Sequence, residues 1–420
     1  MKALHSRDHA SSLSRAGEGE GAPGVWTSTC PASDAHGLAP PRPIYLDHHA
    51  TTPMDPRVIT VVRRVMEECF GNPNSVDHVF GDRAAALLSE AREHVGALVG
   101  AEPEHVRFTS GATEAIRIAL GIAEEAVQGR PLRVAATRVE HKAVLDALAY
   151  WERRGRAQVV WINVDERARV ELSAIAAAVA EGADLLCLMA ANNEVGTIYP
   201  IEDAAAIARR AGAAILVDAT QAASAGSLRA ADWGIDYLAL SAHKLYGPKG
   251  AGALVGPLAC SEAAELAAGH SGTPNSPALA GFGEASRLSL LERDRDQVRL
   301  CELRDRLEAA LLSSVPRLVV NGDRANRLAG NLHISAPGVP NGAVVARVRR
   351  DVAVSTGSAC SSGSDAPSHV LRAMRLPADI QDSALRVSVG KFTTTDEVDR
   401  AAALLAAAIA DVRTAMGMRT

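Results

Sequence analysis

The sequence lacks the features that mark membrane, zinc-binding and nucleic-acid-binding proteins. No apolar stretch reaches the roughly 20 residues that a membrane-spanning helix needs. The net charge is only −5 over 420 residues, which gives no reason to expect nucleic-acid binding. None of the six cysteines forms a C-x-x-C pair, so neither a metal site nor a redox pair is indicated. Scattered thiols in an enzyme-sized chain predict a cytoplasmic protein.

The first 43 residues also lack a periodic apolar pattern. They are rich in Gly, Ser, Ala and Pro, and they cannot bury enough area to offset the entropy of the chain. They have neither the basic start nor the continuous apolar core of a secretory signal. The sequence therefore predicts a disordered extension over residues 1–43, followed by a chain long enough for a large core and two subdomains.

What the sequence does contain centres on residues 241–250, Ser-Ala-His-Lys-Leu-Tyr-Gly-Pro-Lys-Gly. They follow an apolar run, residues 235–240, that is typical of a buried strand, and they end in residues that break regular structure. Lys244 is therefore held at a strand end, with Ser241 and His243 beside it. A lysine placed in this way can attack a carbonyl as a neutral amine, because burial lowers its pKa. The alternative is a surface lysine in a polar loop.

A second predicted strand ends in a carboxylate. Residues 213–218 are an apolar run that closes on Asp218, the pattern of a buried parallel strand. In open α/β sheets the site lies at the carboxyl ends of the strands, so Asp218 and Lys244 can converge on one cofactor. Pyridoxal phosphate needs this pair, a lysine for its aldehyde and a carboxylate for its pyridinium nitrogen.

The motifs Asp-Ala-Thr-Gln at residues 218–221 and Ser-Ala-His-Lys at residues 241–244 resemble those of the class V, aminotransferase-like pyridoxal-phosphate enzymes. Within this class the chain is similar to the cysteine desulfurases, in the branch that serves iron–sulfur cluster assembly. The resemblance runs from Ile44 to about Val398. It implies an α/β protein with fold type I of the pyridoxal-phosphate-dependent transferases: a large domain with a mostly parallel seven-stranded sheet between helices, and a smaller α+β domain.

The resemblance also implies a division of the chain. An N-terminal segment at residues 44–58 packs with the small domain, and residues 59–292 form the large cofactor-binding domain. Residues 293–420 form the small domain, with a mobile loop at about 355–366. An amphipathic helix at residues 294–314 is predicted to lead into it.

The residues that would bind the cofactor follow from the resemblance. A Gly-Ala-Thr turn places Ala112 and Thr113 at a helix start, where bare N–H groups can hold a phosphate, although such a turn also makes ordinary helix caps. Ala50 and Thr51 would lie near the cofactor. Thr273 would reach the phosphate of the neighbouring subunit's cofactor, which implies a homodimer. The remaining implied contacts are His141, Asn193, Asp218, Gln221, Ser241, His243 and Lys244.

The same resemblance implies the catalytic and substrate-binding residues. Arg386 and Asn193 would hold the substrate carboxylate, since a guanidinium fork suits a carboxylate. Without the family, a strand arginine facing solvent is the better interpretation of Arg386. Lys244 would move the α-proton. His141 would stack on the cofactor and assist proton transfer, or else it is a helix-start residue that bonds a carbonyl.

Cys360 stands in a run of Gly and Ser, residues 355–364, where nothing packs against it. That context favours a reactive thiol in a mobile surface loop over a core cysteine. In the family such a thiol accepts sulfur from L-cysteine, leaving L-alanine and a protein-bound persulfide that passes to an acceptor protein.

The chain departs from the family pattern in two places. Arg117 stands where an asparagine is usual. The segment at residues 257–268 is shortened, and His270 stands near the usual arginine. Two alternatives stay open. One is another class V enzyme, such as a selenocysteine lyase, an epimerase or an aminotransferase, and the other is a sulfur-relay subunit that depends on a partner. The acceptor, whether for cluster assembly, tRNA thiolation or another pathway, is not indicated.

Overall fold

A computed structural model describes residues 43–226, 228–260, 272–356 and 368–418. From Pro43 onward these residues belong to one compact unit. Three predictions fall on residues outside the described ranges. They are the disorder of residues 1–43 (of which the structure describes only Pro43), most of the shortened segment with His270, and the loop that carries Cys360.

Strands and α-helices alternate from β2 to β7, residues 106–241. The strands are β1 (Ile44–Tyr45), β2 (Val106–Thr109), β3 (Leu132–Thr137), β4 (Ala157–Ile162), β5 (Leu185–Met189), β6 (Ala214–Asp218), β7 (Tyr237–Ser241), β8 (Gly252–Val255), β9 (Val319–Val320), β10 (Asn331–Ser335), β11 (Val352–Ala353) and β12 (Ala384–Ser388). The helices are α1 (Pro56–Glu68), α2 (Val79–Val99), α3 (Ala112–Ala126), α4 (Lys142–Arg153), α5 (Leu172–Ala180), α6 (Ile201–Arg210), α7 (Ala230–Trp233), α8 (Ser276–Ser314), α9 (Asn341–Val348), α10 (His369–Ala373), α11 (Ala378–Gln381) and α12 (Thr395–Ala415). In the described part of the chain, no helix is both long enough and apolar enough to cross a bilayer.

The main sheet has seven strands in the order β2-β8-β7-β6-β5-β3-β4. All neighbours are parallel except β8, which runs antiparallel to both β2 and β7. The central strands β5 and β7 are buried at every position, and β6 at every position but its first, because helices cover both faces of the sheet. This arrangement confirms the predicted fold class. The strands end at Met189, Asp218 and Ser241, so their carboxyl ends lie side by side.

Helix α8 differs from its prediction. It begins at Ser276 rather than at residue 294 and runs for 39 residues. Its first third is buried on nearly every side against α1 and α2. A Cβ on Gly283 would lie 2.6 Å from the Cα of Ala91 in α2, so the helices approach too closely for a larger residue. A helix that is buried all round has no amphipathic period, and its start was therefore hidden in the sequence pattern.

The C-terminal region has its own core. Strands β12, β10 and β9 form an antiparallel sheet, and β1 pairs with β11 in parallel register. Apolar side chains of α12 and of the second half of α8 pack in the same cluster as Ile44 and Leu46. The N-terminal segment thus starts against the C-terminal core and then crosses to the main sheet. The predicted domain boundaries stay predictions.

Candidate active site at the carboxyl edge of the sheet

A cavity of about 590 Å³ opens at the carboxyl ends of the central strands. Its wall includes the residues for which the sequence predicted cofactor or substrate contacts, except two. The predicted residues that line it are Ala50, Thr51, Ala112, Thr113, His141, Asn193, Asp218, Gln221, Ser241, His243, Lys244 and Arg386. Thr273 is described but exposed, and it does not line the cavity of this single chain. Cys360 lies outside the described residues.

Lys244 sits in a single 3-10 turn, Ala242–Lys244, directly after β7. The turn closes tightly because the amides of Leu245 and Gly247 both donate to the carbonyl of Ala242, at 2.9 Å each. A Cβ on Gly247 would lie 2.9 Å from that same oxygen, so glycine is required for this geometry. The turn projects Lys244 from the strand end into the cavity, as the sequence predicted for a lysine held by a stiff turn.

The N-terminal segment holds this lysine turn in place. Thr52 binds the carbonyl of His243 twice, through its amide at 3.0 Å and its hydroxyl at 2.9 Å. The hydroxyl of Thr51 lies 3.1 Å from Nδ1 of His243. Burial, and then the charges of Lys244 and Lys249, lower the pKa of His243 to about 4. His243 is therefore neutral at physiological pH.

Sequence reasoning missed His49, which stands at the centre of the site. The Nζ of Lys244 donates to the carbonyl of His49 and to that of Ala50, the latter at 2.9 Å. Gln221 donates to the same His49 carbonyl at 3.0 Å. Burial is the main cause that holds the pKa of His49 well below its ordinary value, followed by the charges of Arg386 and Lys244. The signal was its position beside Ala50 in a segment already assigned to the cofactor.

Asp218 is the last residue of β6 and is only 6 % exposed. Its Oδ1 accepts a hydrogen bond from the amide of Thr220 at 3.0 Å, which fixes the carboxylate at the strand end. Asp218 and Lys244 line one cavity. The chemistry available there is a carboxylate for a protonated ring nitrogen and an amine for a carbonyl group.

The N-terminus of α3 also lines the cavity. Its cap residue is Gly111, and among the described residues no side-chain hydrogen bond caps the first turn. Gly252 passes so close that a Cβ there would lie 2.5 Å from the Cα of Gly111. Backbone N–H groups at Ala112 and Thr113 therefore stand at the cavity wall without a side-chain cap. Such a helix start binds a phosphate dianion favourably.

His141 is the cap of α4. Its Nδ1 accepts the amide of Ala143 at 3.1 Å, so in the neutral imidazole the proton lies on Nε2. The predicted alternative, a helix-start histidine that bonds a carbonyl, had the right place in the helix, but this contact is to an N–H group. His141 also lines the cavity.

Arg386 is buried, with 2 % exposure, so the interpretation of a strand arginine facing solvent is wrong. One of its terminal nitrogens donates to the carbonyl of Asn193 at 2.9 Å, and the other pairs with Asp47 at 2.8 Å. Its Nε is buried and has no hydrogen-bond partner in the described part of the chain. A buried guanidinium with an unmatched donor in the cavity wall suits an incoming carboxylate.

Two buried carboxyl groups beside the site were also missed from the sequence. Glu140 accepts the hydroxyl of Thr137 at 2.6 Å, and burial raises its pKa to about 8. Glu194 accepts the hydroxyl of Ser368, and burial raises its pKa to about 7. Each stands next in the chain to a predicted site residue, His141 or Asn193. Their adjacency was the available signal, but carboxylates are usually exposed, and their burial could not be seen in the sequence.

The raised pKa of Glu140 predicts a pH dependence of stability. Between pH 4.5 and about 8 the folded protein keeps a proton that the unfolded chain releases, so stability falls as pH rises through this window. Glu140→Gln should remove a part of that fall, on the order of 2–4 kcal/mol. The measurement is thermal unfolding of both proteins from pH 5 to pH 8. Glu302→Gln, at an exposed position of α8, should keep the wild-type slope. Equal slopes for the wild type and Glu140→Gln would contradict the assignment.

The fold and this cavity define a class V aminotransferase-like enzyme. Residues 44–401 match the family model described as aminotransferase class-V, and the chain belongs within that class to the cysteine desulfurase family. A cysteine desulfurase IscS from Anaeromyxobacter sp. (strain Fw109-5) is 40 % identical over 379 residues, which cover 88 % of this chain and 93 % of that protein. The predicted family is thereby confirmed.

Solved structures agree with this assignment. A NifS-like protein is 30 % identical, with a TM-score of 0.80 over 88 % of this chain and all of that chain. SspA in complex with cysteine is 25 % identical, with a TM-score of 0.71 over 83 % of this chain and 99 % of that chain. The family as a whole depends on pyridoxal phosphate.

Proposed function

We propose that this chain binds pyridoxal phosphate in the cavity at the carboxyl edge of the sheet and converts L-cysteine to L-alanine, with sulfur passed first to Cys360. The observation that carries the proposal is that Lys244, Asp218 and Arg386 line one cavity. These side chains come from three separate parts of the sequence, and they suit the aldehyde and the ring nitrogen of the cofactor and the carboxylate of the substrate. When bound, pyridoxal phosphate supplies a ring that accepts the electrons released at the substrate's α-carbon.

The cavity residues fit this cofactor. The uncapped start of α3, with Ala112 and Thr113, and the neighbouring Ser241 and His243 would hold the phosphate. Asp218 would keep the ring nitrogen protonated, and Lys244 would hold the aldehyde. The other proposed contacts are Asn193 and Gln221 to the phenolic oxygen, and His141 to the ring face.

Arg386 and Asn193 would bind the carboxylate of L-cysteine. Lys244 would then carry the α-proton, for which its amine must leave the carbonyl oxygens of His49 and Ala50. Because Nδ1 of His141 accepts a backbone amide, its Nε2 carries the proton, and this nitrogen would be available for proton transfer.

The thiolate of Cys360 would attack the sulfur of the substrate. An S–S bond forms and the C–S bond breaks, with its electron pair staying on the carbon side. The carbon takes up a proton and leaves as L-alanine, so L-cysteine and the Cys360 thiol yield L-alanine and the Cys360 persulfide. This role of Cys360 is proposed from the sequence and from the family.

Arg386→Lys should raise the KM for L-cysteine about 10- to 100-fold, with a smaller effect on kcat, because lysine cannot replace the planar fork. Steady-state alanine formation with the cofactor-loaded enzyme measures both constants. The control is Arg413→Lys, a buried arginine of α12 that bonds the carbonyl of Pro316. An unchanged KM in Arg386→Lys would contradict the proposed carboxylate contact.

Product analysis tests the proposed reaction against its rivals. The purified, cofactor-loaded protein should form alanine and sulfide in equal amounts from L-cysteine under a reductant. Another class V enzyme would give a different product or no sulfide. A sulfur-relay subunit would turn over slowly until a partner is added.

Several finer points belong to the same proposal. The protein would act as a homodimer in the cytoplasm, with Thr273 of each subunit serving the cofactor of the other. An exposed Thr273, away from the cavity of its own chain, supports this arrangement. A sulfur-acceptor protein would take the persulfide. The IscS relatives favour an acceptor in iron–sulfur cluster assembly.

A further inference from the structure

We propose that Ser368 and Glu194 are a pair of positioning residues that hold the substrate-binding turn at Asn193 in its working geometry. The inference rests on the proposed role of Arg386 and Asn193 in binding the substrate carboxylate. It adds two residues that touch neither substrate nor cofactor in that proposal.

The hydrogen-bond geometry of Ser368 fixes the direction of its contact with Glu194. Its hydroxyl oxygen accepts the amides of Val370 at 3.1 Å and Leu371 at 3.3 Å, and so caps α10. Both acceptor positions of that oxygen are therefore used. The hydroxyl proton goes to a carboxylate oxygen of Glu194, which is 3 % exposed. When Glu194 is ionised, this hydrogen bond is strong because it is charge-assisted and shielded from water.

Glu194 passes this restraint to the substrate-binding turn. The amides of Glu194 and Val195 donate to Oδ1 of Asn192, at 2.9 and 3.0 Å. Asn331 donates to the carbonyl of Glu194 at 3.0 Å. Asn193 lies between Asn192 and Glu194 in the chain, and its carbonyl accepts a hydrogen bond from Arg386 at 2.9 Å. Among the described residues, the hydrogen bond from Ser368 ties the side chain of Glu194 to an element beyond this network.

His369, the first residue of α10, makes a similar contact with the turn that carries His141. Nε2 of His369 lies 3.0 Å from the carbonyl of Glu140, which precedes His141, so that nitrogen carries the proton. The first residues of α10 therefore connect the two turns that carry Asn193 and His141. The charged groups that act on Glu194 are Arg386, His141 and Lys142. The pair thus sits where a small shift changes how Arg386 meets a carboxylate.

A substitution at Ser368 can test its contact with Glu194 separately from its role as the cap of α10. Aspartate is a good cap residue, so Ser368→Asp preserves the start of α10 but sets a second carboxylate against Glu194. In the double variant with Glu194→Gln, the amide nitrogen of the glutamine can donate to the new carboxylate. At a pH well above 7, where both carboxyl groups are ionised, the double variant should therefore restore a hydrogen bond that the single variant loses.

The experiment measures binding of L-alanine and turnover of L-cysteine by the cofactor-loaded enzymes. L-alanine reports on the carboxylate site without needing Cys360, through the change in cofactor absorbance. We expect Ser368→Asp to weaken L-alanine binding and raise KM about tenfold, with kcat within about twofold, because positioning couples to binding. The double variant should return both constants to within about threefold of wild type. Ser368→Thr, which keeps the hydroxyl and the cap, should behave as wild type.

Two outcomes would contradict the proposed role of the Ser368–Glu194 pair. One is wild-type L-alanine binding in Ser368→Asp, and the other is a double variant as impaired as the single one. If Ser368→Asp does not fold, Ser368→Ala and Glu194→Gln supply the same test. Their effects on L-alanine binding should then not add, and additive effects would overturn the pair. If Arg386 does not bind the substrate carboxylate, Arg386→Lys will leave the KM for L-cysteine unchanged. That result is distinct from a failure of the Ser368–Glu194 pair, in which Arg386→Lys still raises KM.

Discussion

Lys244→Ala should abolish turnover, with a loss of at least about 10³-fold, because one side chain both holds the cofactor and carries the substrate's α-proton. Lys244 is the lysine that leaves the end of β7 directly into the cavity. The fold should survive, because the turn is closed by backbone hydrogen bonds at Ala242 rather than by the lysine side chain.

Borohydride treatment measures the covalent role without relying on turnover. It should fix pyridoxal phosphate to the wild-type protein at Lys244, as mass spectrometry of the peptides would show, and it should fix none to Lys244→Ala. Lys249→Ala is the matched control, since Lys249 is a second lysine of the same cavity wall. Cofactor fixed at Lys249 in the wild type would refute the assignment.

Cys360→Ser should stop persulfide formation while the absorbance of the bound cofactor stays as in the wild type. The reason is chemical, since a serine hydroxyl is not deprotonated near neutral pH and does not attack sulfur. Sulfur-35 labelling of the protein from labelled L-cysteine, followed by non-reducing gel analysis, gives the readout. Cysteine binding to the cavity should persist, because Arg386 and Asn193 are untouched.

Cys260→Ser controls for the loss of an exposed thiol as such, and it should retain the label. A fully active Cys360→Ser protein would remove this residue from the reaction. In that case another class V activity, which needs no loop thiol, becomes the better account of the same cavity.

The local patterns predicted much of the sheet and of the site. Residues 213–218 were predicted as a buried strand, and β6 spans Ala214–Asp218. Asp218 and Lys244 were found because a buried parallel strand is a continuous apolar run, and its end is marked where polar residues begin. The family resemblance added Arg386, for which the local pattern alone favoured solvent exposure.

Other features depend on contacts between distant parts of the chain. His49 lies 195 residues before the lysine whose ammonium it holds. Ser368 lies 174 residues after the carboxylate to which it donates. The buried start of α8 is set by the close approach of Gly283 to α2. None of these contacts can be recognised from a periodic pattern in the sequence, because the local pattern around each residue does not depend on its distant partner.

The sequence by itself determined the family, the order of the elements and the residues that end the central strands, since apolar periodicity and long ordered motifs are local properties. Only the tertiary structure decided that Arg386, Glu140 and Glu194 are buried, which carbonyl groups hold Lys244, and which side chains connect the turns at His141 and Asn193. The physical reason is that burial and hydrogen-bond partners arise when segments far apart in the chain pack together. The protonation of these groups then follows from their loss of water.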